Sequence, residues 1–143
     1  TGVAERIPEC ISLLVYLDAY VPENGQSVGD ITGPEFSAMA VQAADAYGGG
    51  WQVPPFDPEN KRLTFQPLKT CTEKINLTNP QAASLPRTYI YCTQGKSPTD
   101  LMLAPMTRAA EKFRHDLRWS YYEIDADHSV LDNHPGEVVE ILL

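Results

Sequence analysis

Three short, nearly continuous apolar runs constrain the fold of this chain more than any other feature: residues 11–17 (ISLLVYL), 88–92 (TYIYC) and 119–124 (WSYYEI). Runs of strand length that are apolar at successive rather than alternate positions are covered on both faces, the condition of strands in a parallel sheet. Between the second and third runs, residues 99–115 carry Leu101, Leu103, Met106, Ala109, Ala110 and Phe113 at spacings of three and four, one apolar stripe on a helix. Strand, helix, strand predicts parallel neighbours joined by a right-handed crossover. A last helix is expected over 135–143, with Pro135 at its first position and Glu137 near its positive end. Residues 2–8 read as the last turns of another helix. The fold class is α/β.

The connection between the first two strands is long and of different character. It opens on Asn24-Gly25, carries a helical stretch over Pro34–Tyr47, then Gly48-Gly49-Gly50 and the prolines Pro54, Pro55 and Pro58. A loop of this length without sheet strands is expected to be functional, and a lid over an active site is the usual reason. The predicted organisation is therefore a core of residues 1–22 and 86–143 with a cap inserted at 23–85. The aromatics Phe36, Trp51, Phe56 and Phe65, with Tyr20 at the core edge, are the candidate substrate-binding residues. Lining an apolar pocket and packing the cap onto the sheet remain equally open to the four cap aromatics.

With 11 basic against 19 acidic residues and a formal charge of -8, the chain lacks the basic footprint of nucleic-acid binding. No apolar run approaches the roughly 20 residues that span a bilayer, and the first residues lack a basic segment followed by an apolar one. The expectation is a soluble, cytoplasmic protein without membrane or nucleic-acid partners. Cys10, Cys71 and Cys92 form neither a CxxC pair nor a disulfide framework and read as buried or half-buried thiols in a reducing compartment. No metal is expected, because no His, Cys or carboxylate pair has zinc spacing. The glycine triplet is not followed by Lys-Ser/Thr and reads as a turn, so no cofactor is implied.

Ligands of open α/β sheets gather beyond the carboxyl ends of the strands, here Asp18, residues 93–96 and residues 125–129. His128 lies after the last strand and before the last helix, where the chain order serine, acid, histidine puts a general base in sheets of this kind. Such a histidine needs a carboxylate on its far ring nitrogen. Asp18 ends a buried strand at the same edge and ranks first, with Asp100 a distant second. Asp125 and Asp127 stand too close in sequence to reach around the ring and are expected to shape the loop. His115 and His134 read as helix-end residues. No serine here has glycines at minus two and plus two, the mark of a nucleophile elbow.

The segments LVYLDAYVPENGQS (14–27), GWQVPP (50–55), LTFQPL (63–68), LPRTYIYCT (85–93) and EIDADH (123–128) resemble those of bacterial α/β-hydrolases related to plant methylesterases and hydroxynitrile lyases. The resemblance covers essentially the whole chain and implies the C-terminal portion of that fold, with parallel strands, flanking helices and an inserted cap. It implies that His128 is the catalytic histidine. Plant relatives carry the aspartate in the loop corresponding to Gln94-Gly95-Lys96, where no acid stands, which favours Asp18 as a relocated acid. The function implied is carboxylic-ester hydrolysis by serine, histidine and aspartate. This chain would supply His128 and Asp18 toward a small-molecule ester, and an N-terminal portion or second chain the serine and oxyanion hole. Two alternatives stand: hydroxynitrile-lyase chemistry, for which Lys96 is the candidate lysine, and a non-catalytic fragment that associates with another chain through its exposed first strand.

Overall fold

A computed structural model describes all 143 residues, Thr1–Leu143. In chain order the elements are α1 (Gly2–Arg6), a 3-10 turn (Pro8–Cys10), β1 (Leu14–Leu17), α2 (Val28–Thr32), α3 (Pro34–Tyr47), β2 (Gln52–Val53), β3 (Gln66–Pro67), α4 (Lys69–Thr72), α5 (Pro80–Ala83), β4 (Arg87–Cys92), α6 (Ala104–Arg114), β5 (Trp119–Ile124), α7 (Val130–Asn133) and α8 (Pro135–Leu142). No helix is long and apolar enough to cross a membrane. The chain divides into two compact units, Thr1–Val21 with Leu77–Leu143, and Pro22–Asn76.

The first unit is built on a three-stranded sheet of order β1-β4-β5. Both pairings are parallel, with Leu17 opposite Ile90 and Cys92 opposite Ile124. Successive side chains of a strand point to opposite faces, and the central strand β4 uses both. Ile90 and Cys92 pack with Ile124, Ala126, Val130 and Val138 on one face, under α7 and α8. Tyr89 packs with Tyr16, Ala110 and Phe113 on the other, under α6. This two-sided burial is why its sequence runs apolar without alternation. The α6 face is dominated by rings: Phe113 stacks on Trp119 at 3.9 Å between centroids, and Tyr89 lies parallel to Tyr121 at 6.4 Å.

Two boundaries differ from expectation. The helix expected from residue 99 begins only at Ala104, because the Asp100 carboxylate accepts the Met102 and Leu103 amides, each at 2.8 Å, and holds a tight turn ahead of it. Residues 77–85, expected in the inserted segment, belong to the first unit. There Glu5 Oε1 accepts the Thr78 and Asn79 amides at 2.5 Å each, and the Asn79 side-chain amide donates to the Glu5 carbonyl at 3.0 Å.

In the second unit, Ser27 and Asp30 form a reciprocal cap at the start of α2, and α3 matches its expected span. The Gly48-Gly49-Gly50 turn follows α3, with Gly49 and Gly50 at φ 62° and 80°. A Cβ on Gly48 would stand 1.7 Å from the Gln52 carbonyl oxygen, so the triplet is a steric requirement of the turn. Contrary to expectation this segment does hold strands: β2 and β3 form a two-residue antiparallel ladder, Gln52 opposite Pro67 and Val53 opposite Gln66.

Candidate functional site

Because β1, β4 and β5 are parallel, the residues that follow them emerge at one edge of the sheet: Asp18 after β1, residues 93–96 after β4, and residues 125–128 after β5. Asp18 continues the ladder through its amide, which donates to the Ile90 carbonyl at 2.7 Å. It then turns at φ 43°, alone among the non-glycine residues in the left-handed region. Aspartate tolerates that conformation better than most residues, and non-glycine residues held there cluster at functional sites.

The Asp18 side chain is 1% exposed, accepts two hydrogen bonds and pairs with one cation. His128 Nδ1 lies 2.8 Å from Oδ2, the Cys92 amide donates to Oδ1 at 3.2 Å, and Lys96 Nζ forms an ion pair with Oδ1 at 3.1 Å. With Asp18 as a carboxylate, which only accepts, the hydrogen of the first of these is on Nδ1 and Nε2 is left with the lone pair. No group of the chain hydrogen-bonds Nε2, and the histidine side chain is 52% exposed. This is the arrangement of a base held from behind and open in front.

The loop that carries His128 is clasped to the loop after β4. The Thr93 and Gln94 amides donate to the Ile124 and Ala126 carbonyls at 3.0 and 2.9 Å. Asp125 accepts Gln94 Nε2 at 2.5 Å and Thr93 Oγ1 at 3.1 Å, bonds that hold its carboxyl below the usual range. Asp127 accepts the Ser129 amide at 2.8 Å. Asp125 and Asp127 thus shape the loop, as their sequence positions suggested. Gly95, at φ 75°, faces Asp127 so closely that a Cβ there would lie 3.3 Å from the Asp127 Cβ.

Of the sequence-predicted residues, the fold brings Asp18 and His128 together. Asp100 is occupied in its own turn. The Tyr20 hydroxyl donates to the Met102 carbonyl at 2.7 Å. Phe36, Trp51, Phe56 and Phe65 all belong to the second unit and take no part in the Asp18 network; Phe36 is half-buried, while Trp51, Phe56 and Phe65 are exposed. Cys10 is exposed, against expectation, and Cys71 and Cys92 are buried. Burial, with the neighbouring Asp18 charge second, pushes the Cys92 thiol up to about 11, which leaves it inert as a nucleophile at neutral pH.

Lys96 was misread. Considered only as a lysine for lyase chemistry, its side chain is instead 4% exposed and turned inward, paired with the Asp18 carboxylate and donating to the Cys92 carbonyl, with its ammonium 4.6 Å from the centre of the Tyr91 ring. The signal available in the sequence was indirect: a carboxylate ending a buried strand needs a cation, and Lys96 is the cationic residue of the adjoining loop.

No protein-family model matches the chain. It is 30% identical over 161 aligned positions to a carbendazim hydrolyzing esterase of Nocardioides sp. (strain SG-4G), covering 99% of this chain and 64% of that protein. Among solved structures it is similar to an extracellular α/β-hydrolase from a Paenibacillus species described as sharing structural and functional homology with tobacco salicylic acid binding protein 2. The TM-score is 0.68 at 22% identity, over 98% of this chain and 64% of that one. A pyrethroid hydrolase from Sphingobium faniae JZ-2 gives 0.62 at 15% identity, over 99% and 63%. A polyneuridine aldehyde esterase variant gives 0.57 at 20% identity, over 99% and 65%. The chain thus spans a little under two thirds of the proteins it matches. Parallel sheet, flanking helices and these likenesses show one fold, the C-terminal portion of the α/β-hydrolase fold.

Proposed function

We propose that this C-terminal portion of an α/β-hydrolase supplies the general base and its orienting acid for carboxylic-ester hydrolysis. The observation that carries the reading is the 2.8 Å bond between His128 Nδ1 and buried Asp18, with Nε2 left open at the sheet edge. In the reaction Nε2 takes the proton of a serine hydroxyl as its oxygen attacks the ester carbonyl. Asp18 stabilises the imidazolium that forms, and the imidazolium returns that proton to the departing alkoxide. Water then repeats the cycle on the acyl-enzyme, with His128 again as base, releasing the carboxylic acid and the serine.

No serine of this chain hydrogen-bonds His128, so in this proposal the nucleophile and oxyanion hole belong to an N-terminal portion of the fold, within a longer polypeptide or in a second chain. The one-sided pairing of β1, which has β4 as its only neighbour and exposes Leu13 and Val15, supports the addition of further strands there. The related esterase and hydrolases support ester substrates. Tyr20, two residues after Asp18 and in the same unit, is a proposed apolar contact, so Tyr20→Ala should raise KM and leave kcat. Three free thiols fit a reducing, cytoplasmic setting.

Turnover of p-nitrophenyl acetate tests the reading. The 143-residue chain alone is expected to be inactive, and activity should appear when a serine-bearing N-terminal portion completes it. His128→Ala should then lower kcat by about 10⁴-fold or more. An unchanged rate in that variant overturns the assignment.

A further inference from the structure

The proton transfers described above leave one charged group of the site without a role. Lys96 is a loop residue that solvent would hydrate at no cost, yet its ammonium is buried, paired with Asp18 Oδ1, hydrogen-bonded to the Cys92 carbonyl and set over the Tyr91 ring. The loop is bent to bring it there, since Gly95 before it takes a left-handed φ of 75° against Asp127.

The chemistry of the pair explains what such a cation does. A buried carboxylate without a partner is driven to its protonated form. A protonated Asp18 would offer a hydrogen to His128 Nδ1 and shift the ring hydrogen to Nε2, the wrong tautomer for a base. Asp18 and His128 share a hydrogen bond, so a proton added to either is felt by both. A cation 3.1 Å from that unit opposes its uptake, wherever in the pair the proton settles.

We propose that Lys96 is a positioning residue for the His128–Asp18 pair: its buried charge keeps Asp18 a carboxylate, keeps the ring hydrogen on Nδ1, and keeps the pair free of an added proton at neutral pH. The consequence for catalysis rests on His128 acting as base, whereas the charge arrangement itself is read without turnover. The other titratable groups around the pair are the same with and without the lysine. Cys92 stays a thiol up to about 11 and burial pushes the Tyr89 hydroxyl upward, so neither ionises in the range concerned. Tyr91 lies under the ammonium, Asp125 and Asp127 keep their loop partners, and His134 is engaged with Glu137.

The test is a pH titration of the His128 ring nitrogens in the intact protein by two-bond ¹H–¹⁵N correlation, which reads tautomer and protonation directly. Neutral His128 should show the Nδ1–H tautomer. Lys96→Met should raise the midpoint by about one pH unit or more, and Lys96→Arg should leave it in place. The acid limb of kcat/KM should move by the same amount in Lys96→Met with KM unchanged, a displacement that loss of loop structure would not produce. A midpoint that stays put in Lys96→Met, or moves equally in Lys96→Arg, overturns the inference. If Lys96→Met does not fold, Lys96→Gln carries the same expectation. In the wild type the Lys96 ammonium should itself give a slowly exchanging ¹H–¹⁵N signal, and rapid exchange like that of surface lysines also overturns it. Loss of the midpoint shift with His128 still essential refutes the role of Lys96 alone; a full shift with His128 dispensable refutes only the assignment of the base.

Discussion

Replacing Asp18 by asparagine removes one charge from the site while keeping its shape, and the structure fixes what that should cost. The native carboxylate is buried, hydrogen-bonded to His128 and the Cys92 amide, and ion-paired with Lys96. An amide retains one acceptor oxygen and turns an NH2 group toward the other side, so at least one of these contacts is lost. The larger effect falls on Lys96, whose buried ammonium keeps only the Cys92 carbonyl and the Tyr91 ring. Breaking a buried ion pair by removing one member costs about 3–5 kcal/mol. Asparagine is at ease at the φ of 43° here, so backbone strain adds nothing. Against a total stability of about 5–15 kcal/mol this is a large share, and with a urea slope of about 1–3 kcal/mol per M the midpoint should fall by about 2 M. Urea unfolding followed by Trp119 fluorescence is a suitable assay, since that ring is stacked on Phe113 in the core. Adding Lys96→Met to Asp18→Asn should recover much of the loss, because the stranded charge goes with it. A loss below about 1 kcal/mol, or strict additivity of the two substitutions, refutes the ion-pair account.

Gly95→Ala forces a side chain into a left-handed backbone 3.3 Å from Asp127 and should cost about 1–2 kcal/mol in the same assay while lowering kcat through the displaced Lys96 loop; a variant as stable as the wild type contradicts it. For the thiols, iodoacetamide at pH 8 with mass-spectrometric mapping should label exposed Cys10 and spare Cys92. Burial disfavours the thiolate, so Cys92 labelling in the folded protein should rise only as pH nears 11, and labelling at pH 8 at the rate of Cys10 refutes this. Ile124→Ala empties a site that is 2% exposed beneath α7 and α8 and should cost about 2–5 kcal/mol by urea unfolding; a loss under about 1 kcal/mol would mean the face collapses around the gap.

What could be read from the sequence follows from how local each determinant is. The strand at 119–124 and the helix at 34–47 were legible to the residue because their bounds are set by adjacent turn residues. β4 was legible because a strand buried on both faces must be apolar throughout. The start of α6 was not, since a side chain bonding two amides ahead of it leaves no mark on apolar periodicity. Nor was the place of residues 77–85, which depends on a Glu5 carboxylate more than seventy positions away. At the site, Asp18 and His128 were legible through topology, because parallel strands deliver their carboxyl ends to one edge. Lys96 was not: a charged loop residue reads as solvated, and only the burial of Asp18 beside it reveals the need for a cation.

That topology also explains how a carboxylate placed after β1 reaches His128. β1 and β4 are hydrogen-bonded neighbours, so their ends lie about 4.8 Å apart, a step that one aspartate side chain and a turned backbone cover. The Asp18 φ of 43° supplies the turn, and the side chain reaches across to accept the Cys92 amide at the end of β4 before meeting His128. The loop after β4 has no acid among Gln94, Gly95 and Lys96 and presents the opposite charge through Lys96. Carboxylates from both loops would leave two like charges in a dry site and drive one of them to take up a proton. A carboxylate from one and an ammonium from the other leave His128 facing a single ionised acid whose charge is already balanced. The burial of Asp18 and the burial of Lys96 are therefore one arrangement, in which each ion offsets the cost of burying the other.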